Sequence, residues 1–182
     1  MNLKVAIIIL LLCTLLPAPN QAAELKTRLV RLEFQDEKLL QQFNSRVRLG
    51  LSNSLGRQRS KLLLSDEVSN KLDLVYGRVQ EILDMHPPRS DLSIVLLPSE
   101  VEVQAVYKNQ FAAHVGYIAF FSPDENSVYL AVNKVNIRVL AHELAHVVIH
   151  HFFHKRPPES IHELLAQHVE KQFRQPTQKR LK

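Results

Sequence analysis

Cysteine occurs once in these 182 residues, as Cys13. That scarcity excludes a disulfide framework and thiolate metal ligands from everything downstream. A metal site in this chain has to be built from histidine and carboxylate. No basic stripe with interleaved aromatics occurs, so a nucleic-acid interface is not expected. No segment repeats, none is of low complexity and no linker divides the sequence. A chain of 182 residues is enough for one domain and not comfortably for two.

Long apolar runs are missing too, with one exception at the start. Lys4 precedes Val5 to Leu16, which is apolar apart from Thr14 and too short to span a bilayer. Pro17 and the small residues Ala18, Ala22 and Ala23 follow. That order is the pattern of a secretory signal peptide, residues 1–23, cleaved near Ala22 or Ala23. The expectation is an exported chain, periplasmic or secreted, whose mature part is 24–182. It would meet a membrane only through an uncleaved signal segment. Cys13 leaves with the signal, and Leu10-Leu11-Leu12 before it lack the small residues of a lipidation site. The net charge of +5 gathers largely at the end, in Lys171, Arg174, Lys179, Arg180 and Lys182. Residues 174–182 read as a solvated basic tail rather than a site for anionic lipid or polymer.

The patterning between these ends predicts a sequence of elements. Thr27 to Phe34 alternates as a half-buried strand. Asp36 opens a helix through Leu49, stopped by Gly50. Leu51 to Leu64 reads as a basic loop. Ser65-Asp66-Glu67 starts a helix to about Met85, and His86-Pro87-Pro88 ends it. Leu92 to Leu97 is a short strand. Ser99 with Glu102 forms a capping box for a helix to about Phe111. Val115 to Phe121 and Ser127 to Val132, joined by Ser122-Pro123-Asp124-Glu125-Asn126, make a hairpin. Asn133 or Asn136 caps the next helix, Pro157-Pro158 breaks the chain, and a last helix runs from Glu159 to about Phe173. The fold class is α+β, with a small, largely antiparallel sheet.

One constellation carries chemistry. Val139 to Phe153 reads VLAHELAHVVIHHFF and holds His142-Glu143-Leu144-Ala145-His146, an HExxH pattern. A helix turns about 100° per residue, so two histidines four apart lie about 40° apart around the axis. Both imidazoles then reach one Zn²⁺ ion, and Glu143 is placed to take a proton from a water on it. Val139, Leu140, Ala141, Leu144, Ala145, Val147, Val148 and Ile149 leave this helix hardly any solvated face. Titratable groups in such a helix are costly unless something pairs with them, and a metal does so.

Catalytic zinc takes three protein ligands and leaves one position for water. On the last helix Glu163, Ala166 and Glu170 share a face. Ala166 admits a close neighbour, Glu163 can reach a metal, and Glu170 can orient a ligand imidazole. The bland alternative is that both glutamates are solvated helix acids. His150, His151, His154 and His162 remain competing ligands, more simply read as surface or packing histidines.

HELAH followed by a helix reading HELLAQHVE resembles the gluzincin arrangement of zinc metallopeptidases, the peptidase MA group. The approach GYIAFFSPDENSVYLAVNKVNIRVL is similar to that of small exported bacterial proteins with a peptidase MA-like domain. The resemblance covers about Val115 to Phe173. It implies a zincin-like single domain in which an HExxH helix is followed by a ligand helix. It implies one Zn²⁺ on His142, His146 and Glu163, the last starting an E-x-x-A segment that ends at Ala166. Glu143 matches the general base, and an edge strand before the active-site helix would pair with substrate, here Ser127 to Val132. The chain departs from the family's usual glycine and aromatic after the ligand glutamate, with Leu164 and His168 in those places. Gln167 stands where many members have an acid. A metzincin is excluded, since Ile149 and Phe152 replace its glycine and third histidine.

The expected function is that of an exported zinc metallopeptidase, a monomer hydrolysing peptide bonds in proteins or peptides. His168 or Tyr117 is the candidate donor to the developing oxyanion. The alternative is a non-catalytic, zinc-stabilised envelope protein that binds a partner. Glu143, which a purely structural site does not need, favours the enzyme.

Overall fold

Short apolar stretches at strand and helix spacing pack into one mixed sheet with helices on both faces. The computed structural model describes residues 23–49, 63–113 and 116–173. Within them the order is β1 (Ala23–Lys26), β2 (Arg31–Phe34), α1 (Glu37–Arg46), α2 (Leu64–Leu83), β3 (Ser93–Leu97), α3 (Glu100–Phe111), β4 (Ala119–Ser122), β5 (Ser127–Ala131), α4 (Ile137–Phe152) and α5 (Glu159–Gln172). Residues 1–22, 51–62 and 174–182, read above as signal peptide, basic loop and basic tail, lie outside the described residues; of the ends of those readings, Ala23 opens β1 and Leu64 opens α2. Among the described residues no helix is long and apolar enough to cross a membrane.

The first strand departs from expectation. Thr27 to Phe34 is not one strand but a turn followed by β2, and β1 precedes it, with Lys26 opposite Arg31. The Thr27 hydroxyl accepts from the Val30 N–H at 3.0 Å and donates to Asp73 Oδ1 at 2.8 Å. The Leu29 N–H donates to the same carboxylate at 3.1 Å. Alternation alone does not register such a turn, and its anchor, Asp73, comes from α2, 46 residues away. The following helix starts as expected, with Asp36 accepting from the Leu39 N–H, but ends at Arg46 rather than Leu49. The capping box of Ser99 and Glu102 is present at the start of α3.

The sheet order is β1-β2-β3-β5-β4. Both outer pairings are antiparallel and both central ones are parallel. Four of the five strands thus belong to an antiparallel pair, the character expected from the hairpin, while the centre is built by crossovers through helices. One face carries the main core: Leu32, Ile94, Leu96, Val128 and Leu130 pack with side chains of α1, α2, α4 and α5. The other face is smaller, with Phe120 and Ala131 under Val103 of α3.

Asn136 caps α4 by accepting from the Arg138 and Val139 N–H groups at 2.9 and 3.2 Å. Leu140, Ala141, Leu144, Ala145, Val147, Val148 and Ile149 are all fully buried, because the sheet lies on one side of α4 and α2 and α5 on the others. Pro158 is the N-cap of α5, which returns along α4 with Ala166 and Val169 fully buried. Replacing Ala166 with leucine inserts three carbons where two helices touch. Ala166→Leu should lower stability by about 1–3 kcal/mol in urea denaturation; an unchanged midpoint would show that the helices are not in close contact there.

Candidate metal centre

The α4 backbone puts the His142 and His146 rings one turn apart, with their Nε2 atoms separated by 3.2 Å. The reversal at Pro157-Pro158 lays the first turns of α5 across them. Glu163 Oε2 then lies 3.6 Å from His142 Nε2 and 3.7 Å from His146 Nε2. These three atoms form a nearly equilateral triangle. A point equidistant from all three is about 2.0–2.1 Å from each, within the usual range for zinc with nitrogen and oxygen ligands. Among the described residues this is the group of three metal-ligating side chains that converges. Two imidazoles and one carboxyl group are a donor set that suits Zn²⁺, so the residues fit the ion that the HExxH pattern implies.

Neighbours hold each ligand. Gln167 Nε2 donates to Glu163 Oε1 at 2.8 Å, which leaves Oε2 directed at the histidines. Glu170 Oε2 lies 3.5 Å from the buried His142 Nδ1, close enough to orient the ring although no hydrogen bond is formed. The other Glu170 oxygen is taken by the Arg138 guanidinium. Arg138 precedes His142 by one helical turn, and Glu170 follows Glu163 by two, so α4 carries two of the three side chains and a supporting arginine, and α5 carries the third with Gln167 and Glu170 in support. The His162 ring is buried and stacks over His146, with centroids 5.9 Å apart.

Glu143 faces the same cleft and is only 8% exposed. Its carboxyl is pushed up to about 8, by burial first and then by the charge of Glu163, while the Phe121 backbone N–H favours the ionised form. His146 is pushed down to about 4 by burial, with His142 adding to the effect. It is therefore neutral near pH 7, with a lone pair free of proton competition.

The cleft encloses about 580 Å³ between β4, α4 and α5. Tyr117 lines it and is 45% exposed. His168 does not line it; it projects from the exposed face of α5, about 140° around the helix from Glu163. Helix periodicity places position 168 away from the metal face, a signal that the family pattern obscured. His150 lines the cleft beside Phe121, His151 Nε2 contacts Asn126 Oδ1 at 2.8 Å, and His154 is exposed; none of them joins the triangle. The expected substrate strand also moves. Ser127 to Val132 contains β5, which is flanked by β3 and β4, so β4 is the edge strand. The Ala131 N–H donates to the Ile118 carbonyl across this pair at 2.9 Å. By alternation, the backbone groups of Ala119 and Phe121 point away from β5, toward the open side.

Sequence reasoning missed Arg138, Gln167 and the Phe121 amide. The first two were recoverable as residues one turn from a ligand on the same helix; the third depends on a contact between distant elements. Comparison of the chain with protein-family models, curated proteins and solved structures finds no match.

Two outcomes follow from this geometry. Below about pH 8 the folded, metal-free protein keeps a proton on Glu143 that the unfolded chain releases near its ordinary value of 4.5. The raised value therefore supplies stability that is lost as pH climbs. Metal-free protein should lose up to about 1.4 kcal/mol between about pH 7 and about pH 8, and Glu143→Gln should flatten that slope; parallel slopes in the two proteins would contradict the buried carboxyl. Separately, Glu170→Gln should weaken zinc affinity about 10–100-fold in competition with a chromophoric chelator. An affinity equal to that of the unaltered protein would remove Glu170 from the support of His142.

Proposed function

We propose that this chain is an exported zinc-dependent metallopeptidase that hydrolyses peptide bonds in proteins or peptides. The observation that carries the proposal is the combination of three converging ligand atoms with a buried carboxyl, Glu143, in a cleft beside an open strand edge. A zinc ion held by His142, His146 and Glu163 would lower the pKa of a water toward about 7 and polarise a scissile carbonyl. Glu143 is the residue that would accept the proton of that water and return it to the leaving amine as the C–N bond breaks. Its raised value describes the protein without a cation; a neighbouring divalent charge favours the carboxylate that a general base needs.

The edge of β4 supports the substrate class. The Ala119 N–H and carbonyl and the Phe121 carbonyl face the open side, in position to bond an extended peptide. Recognition through main-chain groups does not depend on particular side chains, which suits a peptide-bond hydrolase. The Phe121 N–H is directed at Glu143 and so ties the position of the base to that of the strand. Tyr117, in the cleft and half-exposed, takes over from His168 as the candidate donor to the developing oxyanion.

Glu143→Gln separates binding from chemistry. The variant should keep one zinc per chain while turnover of a peptide library falls about 10²–10⁴-fold. Sustained turnover in a zinc-loaded variant would refute the assigned base. Zinc binding with no turnover by the unaltered protein would instead leave a structural metal site.

A further inference from the structure

The rings around the N-terminal end of β4 form a continuous aromatic wall on one side of the cleft. Tyr107 is at the centre. Its ring lies 4.6 Å from Phe111, 5.0 Å from Tyr117 and 5.0 Å from Phe120, measured between centroids. Phe120 is buried and stacks on Tyr129 at 5.0 Å, so the inner part of the wall is fixed by the small core under α3. The outer part is open: Phe111 is 41% and Tyr117 45% exposed, and both line the cleft that holds the metal ligands. Ala112 ends α3 in the left-handed region, with φ 51°, and its N–H donates to the Lys108 carbonyl at 2.9 Å. That turn leaves Phe111 at the rim instead of carrying the helix onward.

We propose that this wall is a side-chain subsite that selects peptides bearing a large apolar or aromatic residue next to the bond that is cut. The inference rests on the peptidase reading and adds the substrate class to it. An extended segment on the edge of β4 sends alternate side chains to opposite sides of the sheet. One set, passing Phe120, goes to the side where Tyr107 and Phe111 stand. Exposed rings that continue directly into a cleft gain from covering by another apolar surface, and tilted or edge-to-face neighbours leave an aromatic guest room to stack. The lining cation, Arg156, is paired with Glu159 at 2.7 Å and is not a comparable selector for charge.

The chain contains no tryptophan, so the indole emission of a peptide reports its binding without background. Full-length, zinc-loaded protein is titrated with a Trp-bearing peptide and with its serine counterpart as competitor. The Trp peptide should bind at least about tenfold more tightly. Phe111→Ser should reduce that preference to about threefold or less, with zinc content unchanged, and Phe111→Leu should restore most of it. Because Phe111 is at the rim, neither change touches the main core; unfolding of both variants would itself contradict the exposed placement. Equal binding of the two peptides, or a preference that survives Phe111→Ser, overturns the subsite. Hydrolysis of the same pair is followed alongside. Cleavage without preference overturns the subsite and leaves the peptidase reading intact, whereas preference without cleavage supports the subsite and overturns the peptidase reading.

Discussion

The apposition of α4 and α5 is the constraint from which the rest follows. Two histidines one turn apart on α4 define only an edge; the third corner arrives because α5 lies against them with Ala166 at the contact. Each helix is held there by its own means. Asn136 fixes where α4 begins, and the paired prolines fix where α5 can begin. The sheet beneath α4 and α2 beside it supply the apolar contacts that make its almost wholly buried surface favourable. A triangle of side-chain atoms with edges of 3.2, 3.6 and 3.7 Å is thus a property of helix packing as much as of residue choice.

The electrostatics of the cleft obey one cause acting on two kinds of group. Burial penalises charge, which raises the Glu143 carboxyl and lowers the His146 imidazole, so that both are neutral near pH 7 without a cation. A divalent ion reverses the penalty for the carboxylates while using the neutral imidazole as it stands. Arg138 and Gln167 complete the arrangement from outside: one engages Glu170, the other one oxygen of Glu163. Gln167 is informative because it stands where the resembling peptidases often have an acid. Here an amide, which can donate, takes up the carboxylate oxygen that does not face the histidines.

Much of this was legible in the sequence wherever a feature is local. The 3.6-residue spacing of apolar side chains located α4 and α5, and the caps at Asp36 and Ser99 and the hairpin before α4 were readable from residue type and order. His142 and His146 followed from helix geometry; Glu163 needed the family resemblance to separate it from rival histidines. What the sequence did not reveal depends on distant partners. The β1–β2 turn is set by Asp73 from α2. The parallel centre of the sheet depends on how crossovers pack, and that placement makes β4 rather than β5 the edge. His168 was misjudged because motif spacing was followed where the helical angle pointed the other way.

The two margins of the sheet are guarded differently. β1 carries exposed Glu24 and Lys26, charges that discourage a second sheet from docking there. β4 reads Ala119-Phe120-Phe121-Ser122, four residues without a charge, and the backbone of Ala119 and the Phe121 carbonyl open into the cleft between α4, α5 and the rim of α3. A hydrophobic edge of that kind invites runaway self-association when it lies on an open surface. Recessed as it is, it is shielded from the flank of another folded copy yet reachable by a single unfolded strand. The groove therefore doubles as protection against fibril growth, and solubility and ligand access are governed by the same few walls.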